Sequence, residues 1–403
     1  MVTQLDLAVY DPQEHEPLCD DAWNEDRARA FILRVVEEAD KAFDPKAFWP
    51  LHPEDAYGEE PGSYRGLYSG AAGTMWGLHR LSQTTSIRLK HDYASAIVAV
   101  EEAYRSNPWE TATVVPGYFM GTTGILAARY AITRDERVLD ALERDARSNI
   151  GNKTREIFWG SAGCAIAALL VRAERNDGRF DGVLADIQDE YWKSWSSDAR
   201  YPLLWLQEMY GKKQRYVGVG HGAFGNVMVF IRASDLLTQT VRDELHRRIV
   251  ALLSTYALQD GDAANWISMA EPAVGNRMQW CHGAPGIIMA LASYPQTDAR
   301  IETYLQAGAQ AIWQAGPLKK GPNFCHGTAG NGYALLRIFQ RTGEAVWLER
   351  ARCFAMHAIG QVDDWRRRFG MPAFSLWSGE IGIALFVDSI LRKDPAVLAM
   401  DVL

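Results

Sequence analysis

Seven times along this chain two glycines stand three residues apart ahead of an apolar run: Gly70/Gly73, Gly121/Gly124, Gly160/Gly163, Gly222/Gly225, Gly283/Gly286, Gly327/Gly330 and Gly379/Gly382. One such pair would read as a helix cap or a loop. Seven copies at intervals of 39 to 62 residues are an internal repeat, too irregular for a stacked solenoid but suited to a helical hairpin with variable loops. Residues 125–131 and 333–339 show the helix-forming apolar run that follows each step, and residues 301–315 and 346–359 show apolar spacing of three and four between steps. Strand signals are scarce. Glycines three apart share a helix face, so a step at each helix start lets neighbouring backbones crowd a common axis. The expected fold is all-α: an α/α toroid with seven inner and seven outer helices. It is expected to form one domain over residues 1–403, with an N-terminal extension and outer helix in 1–60 and seven helical-hairpin repeats in 61–395. Residues 21–43, with Phe31, Ile32, Val35 and Val36 on one face, read as the helix that joins the outer ring. Loops are expected at 53–62, 259–275 and 363–373.

The fifth and sixth repeats carry matched motifs, Trp280-Cys281-His282-Gly283 and Phe324-Cys325-His326-Gly327. Thiolate and imidazole are ligands that zinc prefers, and a catalytic zinc takes three protein ligands and leaves a fourth position open. Cys281, Cys325 and His326 supply that set. The spacing is not that of a zinc finger, so the fold must bring the two halves together. The alternative is a pair of buried cysteines acting as small hydrophobes in equivalent packing positions; two motifs in register favour the metal.

Composition narrows the remaining classes. A net charge of −8 argues against a general nucleic-acid surface. Five cysteines, an odd number in a long chain, are no disulfide framework and suit a reducing compartment. The first residues run into Asp11, Glu14 and Glu16 and do not read as a signal peptide. The apolar run at 163–171 ends at Arg172, well short of the ~20 residues that cross a bilayer. A soluble, cytoplasmic protein with no transmembrane segment is expected.

From about Tyr64 to Val387 the seven steps and the two cysteine motifs resemble the lanthionine synthetase C-like family, relatives of the lanthipeptide cyclases. The resemblance implies an α/α toroid with a zinc at one end of its cavity, held by Cys281, Cys325 and His326. It also implies the addition of a thiol to dehydroalanine or dehydrobutyrine, within one peptide in the cyclases and with glutathione in the C-like branch. Gly220-His221-Gly222 in the fourth repeat matches the family's acid/base histidine, and Arg277 matches an active-site arginine. Glu156 falls where cyclases carry an aspartate and the C-like branch a glutamate. His282 replaces the tyrosine that follows the first zinc cysteine in cyclases. Lys320 and Arg368 resemble the cationic glutathione-contacting positions of the C-like branch, while the N-terminus offers no matching contact.

These residue types suit the implied chemistry. Coordination deprotonates a thiol, and the thiolate attacks the β-carbon of the alkene. Arg277 would stabilise the enolate oxygen, a protonated His221 would deliver the α-proton, and Glu156 would orient a cation. Each has a plainer alternative: capping or packing for His221, an ion pair with Glu271 for Arg277, a helix-start carboxylate for Glu156. His282 reads equally as a supporting donor, a further ligand or a packing residue. Lys319, Lys320 and Arg366 to Arg368 are either solvated charge or partners for the two carboxylates of glutathione. Trp365 and Trp377 line the pocket or belong to the core, and Cys19, Cys164 and Cys353 read as thiols without a role. The expected partners are therefore glutathione and a dehydrated peptide or protein, with no nucleic acid. The competing readings are a dedicated lanthipeptide cyclase and a non-catalytic scaffold that binds zinc and glutathione. An α/α-toroid glycosidase would need a matched pair of rim carboxylates, and none stands out.

Overall fold

The computed structural model describes residues 7–56, 62–195, 198–271, 273–394, 396 and 398–403. Among the described residues, fourteen helices alternate between two rings, and a short one, Leu398–Asp401, follows them. In chain order they are α1 (Glu25–Ala42), α2 (Ala71–Thr84), α3 (Tyr93–Ser106), α4 (Thr122–Thr133), α5 (Arg137–Ser148), α6 (Ser161–Arg175), α7 (Asp181–Ser194), α8 (Ala223–Arg232), α9 (Gln239–Tyr256), α10 (Ala284–Leu291), α11 (Ala299–Ala315), α12 (Thr328–Thr342), α13 (Ala345–Phe369) and α14 (Glu380–Arg392). The even-numbered helices follow the seven glycine steps. Each touches the next, and α14 returns to α2, so the inner ring closes. Among the outer helices, α1, α3, α5, α7, α11 and α13 each pack on two inner ones, and α9 lies beside α11. Burial separates the rings as amphipathicity requires. Helix α6 is buried without a break from Ser161 to Val171, whereas α5 buries the single stripe Val138, Leu139, Leu142 and Ala146. Each large apolar side chain so buried contributes about 1.5–3 kcal/mol.

The second glycine of every step has the same two neighbours. A Cβ on Gly73, Gly124, Gly163, Gly225, Gly286, Gly330 or Gly382 would overlap the carbonyl oxygen of Leu67, Tyr118, Ile157, Val219, Trp280, Phe324 or Leu376, six residues earlier in its own chain segment. Behind that carbonyl stands the matching side chain of the preceding repeat, from Leu67 beside Gly124 round to Leu376 beside Gly73. The expected crowding is therefore real but has a second and closer source. Each incoming segment folds back onto the first turn of its own helix, and only a residue without a Cβ admits it.

Two regions expected as loops are ordered differently. Strands β1 (Gln207–Met209), β2 (Lys212–Tyr216), β3 (Ala257–Asp260), β4 (Ala263–Trp266), β5 (Met269–Glu271) and β6 (Ala273–Val274) form an antiparallel sheet of order β1-β2-β5-β6 and a separate β3-β4 hairpin. Residues 259–275 are thus largely strand, added where two repeats are longest. At 363–373 helix α13 continues to Phe369, because nothing breaks it before Gly370, which caps it at φ 69°. In the stretch 53–62, Pro53–Asp55 form a single 3-10 turn, and 57–61 lie outside the described residues. Among the described residues no helix is long and apolar enough to cross a membrane.

Candidate active site

The two residues ahead of each step lie at one end of the toroid. They are Tyr68-Ser69, Phe119-Met120, Phe158-Trp159, Gly220-His221, Cys281-His282, Cys325-His326 and Trp377-Ser378. Backbone hydrogen bonds link the first member of five of the seven pairs to its equivalent in the next repeat. Gly220 donates to the carbonyl of Cys281 (3.0 Å), Cys281 to Cys325 (3.3 Å), Cys325 to Trp377 (2.9 Å), Trp377 to Tyr68 (3.1 Å) and Tyr68 to Phe119 (3.0 Å). Two cysteines far apart in sequence are thereby made neighbours. Gly220 leaves room for them, since a Cβ there would stand 2.8 Å from that of Cys281.

A cavity of about 860 Å³ opens over this end, and Cys281, Cys325, His326, His282, His221, Arg277, Gln279, Lys320 and Tyr68 share its lining. The two thiols are hydrogen-bonded to each other, which lowers the pKa of Cys281, while burial raises that of Cys325. Gln279 Nε2 donates to Cys281 Sγ at 3.0 Å, and the Tyr68 side chain bonds Cys325. Burial pushes the imidazole of His326 down to about 4 and that of His282 down to about 3, with neighbouring cations adding to both. Both rings are therefore neutral near pH 7, the form that binds metals. His282 Nδ1 is buried with no hydrogen-bond partner among the described residues. Among the described residues no three His, Cys, Asp or Glu side chains are gathered into a metal-holding cluster. The two touching thiols, with a neutral imidazole on the same wall, nevertheless have the donor chemistry of a thiophilic divalent cation.

His221 sits between Gly220 and the glycine that caps α8, its ring 4.5 Å from that of Phe158. Its Nδ1 donates to Glu156 Oε2 at 2.9 Å. Glu156 is fully buried and also accepts the amide protons of Phe158 and Trp159 (both 2.7 Å) and Gly160 (3.2 Å). It is thus both a turn-capping carboxylate and the partner of His221, joining the two alternatives read from sequence. The Phe158 amide bonds this carboxylate, and among the described residues no backbone bond joins Phe119 to Phe158, so the backbone ring is open on both sides of repeat three. Arg277 does not pair with Glu271, which binds Arg215 instead. Lys320 Nζ donates to Gln279 Oε1 at 3.3 Å, so one amide side chain links this cation to the Cys281 sulfur.

Arg368 is not brought to this cavity: it is exposed on the last turn of α13, its guanidinium 4.8 Å from the centre of the Phe369 ring. Lys319 likewise turns outward, onto the carbonyl of Gln13. Trp377 is fully buried in the aromatic floor, 4.3 Å from Trp280, and Trp365 stacks on His52 outside the lining. Gln279 and Tyr68 acquire contacts that sequence reading did not assign. Tyr68 was discoverable as the residue two places ahead of a glycine step, whereas Gln279 carries no comparable signal.

Residues 64–402 match the family of lanthionine synthetase C-like proteins. Over 198 residues the chain is 30% identical to Glutathione S-transferase LANCL1 of Danio rerio, covering 47% of this chain and 44% of that protein. Over 83 residues it is 36% identical to LanC-like protein GCL1 of Arabidopsis thaliana, covering 20% and 19% of the two chains. These matches span less than half the length of either relative. The solved structure of nisin cyclase aligns with a TM-score of 0.56 over 91% of this chain and 98% of its own, at 14% identity, a likeness of fold.

Proposed function

This chain belongs to the lanthionine synthetase C-like family, and from that premise we propose that it adds glutathione, through its thiol, to dehydroalanine or dehydrobutyrine residues in a peptide or protein. The observation that carries the reading is the pair of touching thiols, Cys281 and Cys325, in one cavity with His326 and the Glu156-supported His221. Cys281, Cys325 and His326 would hold a zinc ion, which when bound lowers the pKa of a thiol and so supplies the nucleophile at neutral pH. The relative from Danio rerio, named a glutathione S-transferase, supports the choice of thiol.

The chain's own residues do the rest. Glu156 holds Nδ1 of His221, which leaves Nε2 as the nitrogen that delivers a proton to the α-carbon of the acceptor. The sulfur bonds the β-carbon, the alkene becomes a single bond, the α-carbon takes the proton, and nothing leaves. Arg277 faces the carbonyl oxygen on which charge develops. Lys320 offers a cation to a glutathione carboxylate, held in place by Gln279. His282 keeps a spare nitrogen beside the thiols as a positioning residue, and the buried aromatic floor keeps water from beneath them. Incubation with glutathione and a dehydroalanine peptide, followed by mass spectrometry, tests the reading. One glutathione mass added per dehydrated residue is expected. Ring closure in a peptide with its own cysteine, without any glutathione adduct, would make it a cyclase; no product with either peptide would favour a scaffold.

A further inference from the structure

The cavity has two unlike walls. Repeats four to six contribute the thiols, imidazoles and cations. Across the ring, the N-terminal extension, repeats one to three and the β1-β2 hairpin contribute Leu51, Tyr64, Trp109, Met120, Trp159 and Tyr210. This second wall is built, not merely apolar. Tyr64 stacks on Trp109 at 5.0 Å, and Gly62 closes on Trp109 so tightly that a Cβ would come within 2.6 Å of its ring. Trp159 Nε1 donates to the Tyr210 hydroxyl at 3.1 Å. The one carboxylate among the described lining residues, Glu110, is occupied by the amides of Arg65 (2.7 Å) and Gly66 (2.8 Å).

Tyr210 stands out. It is 66% exposed, the most exposed large hydrophobic side chain among the described residues. With φ 54°, followed by Gly211 at 70°, it occupies the first central position of a turn that favours asparagine or glycine. A tyrosine adopts that backbone only at a cost, and such departures gather where a side chain has a task.

We propose that this wall, with Tyr210 as its outer jaw, binds an apolar and preferably aromatic side chain adjoining the dehydrated residue of the acceptor peptide. The inference rests on the thiol-addition reading. Carboxylates of the thiol are drawn to Arg277 and Lys320; on the aromatic wall the Arg65 guanidinium, 5.8 Å from the centre of the Trp109 ring, is balanced by Glu110, which leaves that wall to the acceptor. The cavity lies near the upper end of the ~300–1,000 Å³ range of small-ligand pockets, room enough for both.

The test uses the full chain without any thiol and two unreactive peptides carrying alanine in place of the dehydrated residue, flanked by phenylalanine or by glycine. Isothermal titration should find the phenylalanine peptide bound roughly 10- to 100-fold more tightly, the value of burying one such side chain. Tyr210→Asn, which suits the turn and should keep the melting temperature, is expected to cut that preference severalfold, as is Trp109→Ala. Equal affinities, no measurable binding of either peptide, or a preference unchanged in both variants would overturn the proposal. Because neither peptide can react, a failure of thioether formation would be seen separately.

Discussion

Repeats four to six and the other four repeats share one backbone plan and differ in what they hang from it. The residue two places ahead of the step is Gly220, Cys281 or Cys325 in the first group and Trp377, Tyr68, Phe119 or Phe158 in the second, and the next residue is histidine in all three repeats of the first group alone. The aromatic group packs on itself, with Phe119 4.8 Å from Phe158 and 5.1 Å from Trp377. Thiols and imidazoles are thus concentrated in one arc of a symmetric scaffold, and the remaining arc supplies the floor and, in Glu156, the carboxylate that holds His221. Stability and reactivity should separate along this line.

The sharpest separation is expected at His221. Replacing it with alanine should slow thiol addition by ~100- to 10,000-fold, the usual worth of a general acid, while the melting temperature and metal content hold. A stopped assay beside circular dichroism measures both; an unchanged rate would end the division of labour. Phe119→Ala should do the converse, costing about 3–5 kcal/mol in urea denaturation for a fully buried ring with little change in rate per folded molecule. A smaller effect distinguishes the two cations. Lys320→Ala should raise the Michaelis constant for glutathione roughly 10- to 100-fold and barely affect a small uncharged thiol. Arg368→Ala, exposed and away from the cavity, should leave both constants within about twofold.

Much of this division was legible before folding was considered. The glycine steps identify the inner helices, and the alternating amphipathic stretches the outer ones, because each ring imposes its own burial pattern. The candidate site was legible where it repeats the step, at His221, Cys281, Cys325 and His326, and by family resemblance at Glu156, Arg277 and Lys320, in that the ring draws all of these to one end. Arg368 was not separable from them in sequence, since distance back from Phe374 says nothing of how far α13 runs before Gly370. The strands between Ala257 and Val274 were missed because hairpins with strands of two to four residues leave too little alternation to see. Gln279 was silent for a different reason: an amide beside a motif acquires meaning only once Lys320 and Cys281 lie on either side of it.

The central claim is that Cys281 and Cys325, equivalent residues of adjacent repeats, hold one metal ion with His326. Elemental analysis of the purified protein, of Cys281→Ala and of Tyr68→Phe tests it most directly. About one zinc per chain is expected in the native protein and in Tyr68→Phe, and close to none in Cys281→Ala, with all three folded by circular dichroism. Full zinc retained in Cys281→Ala, or none in the native chain after supplementation, would contradict it.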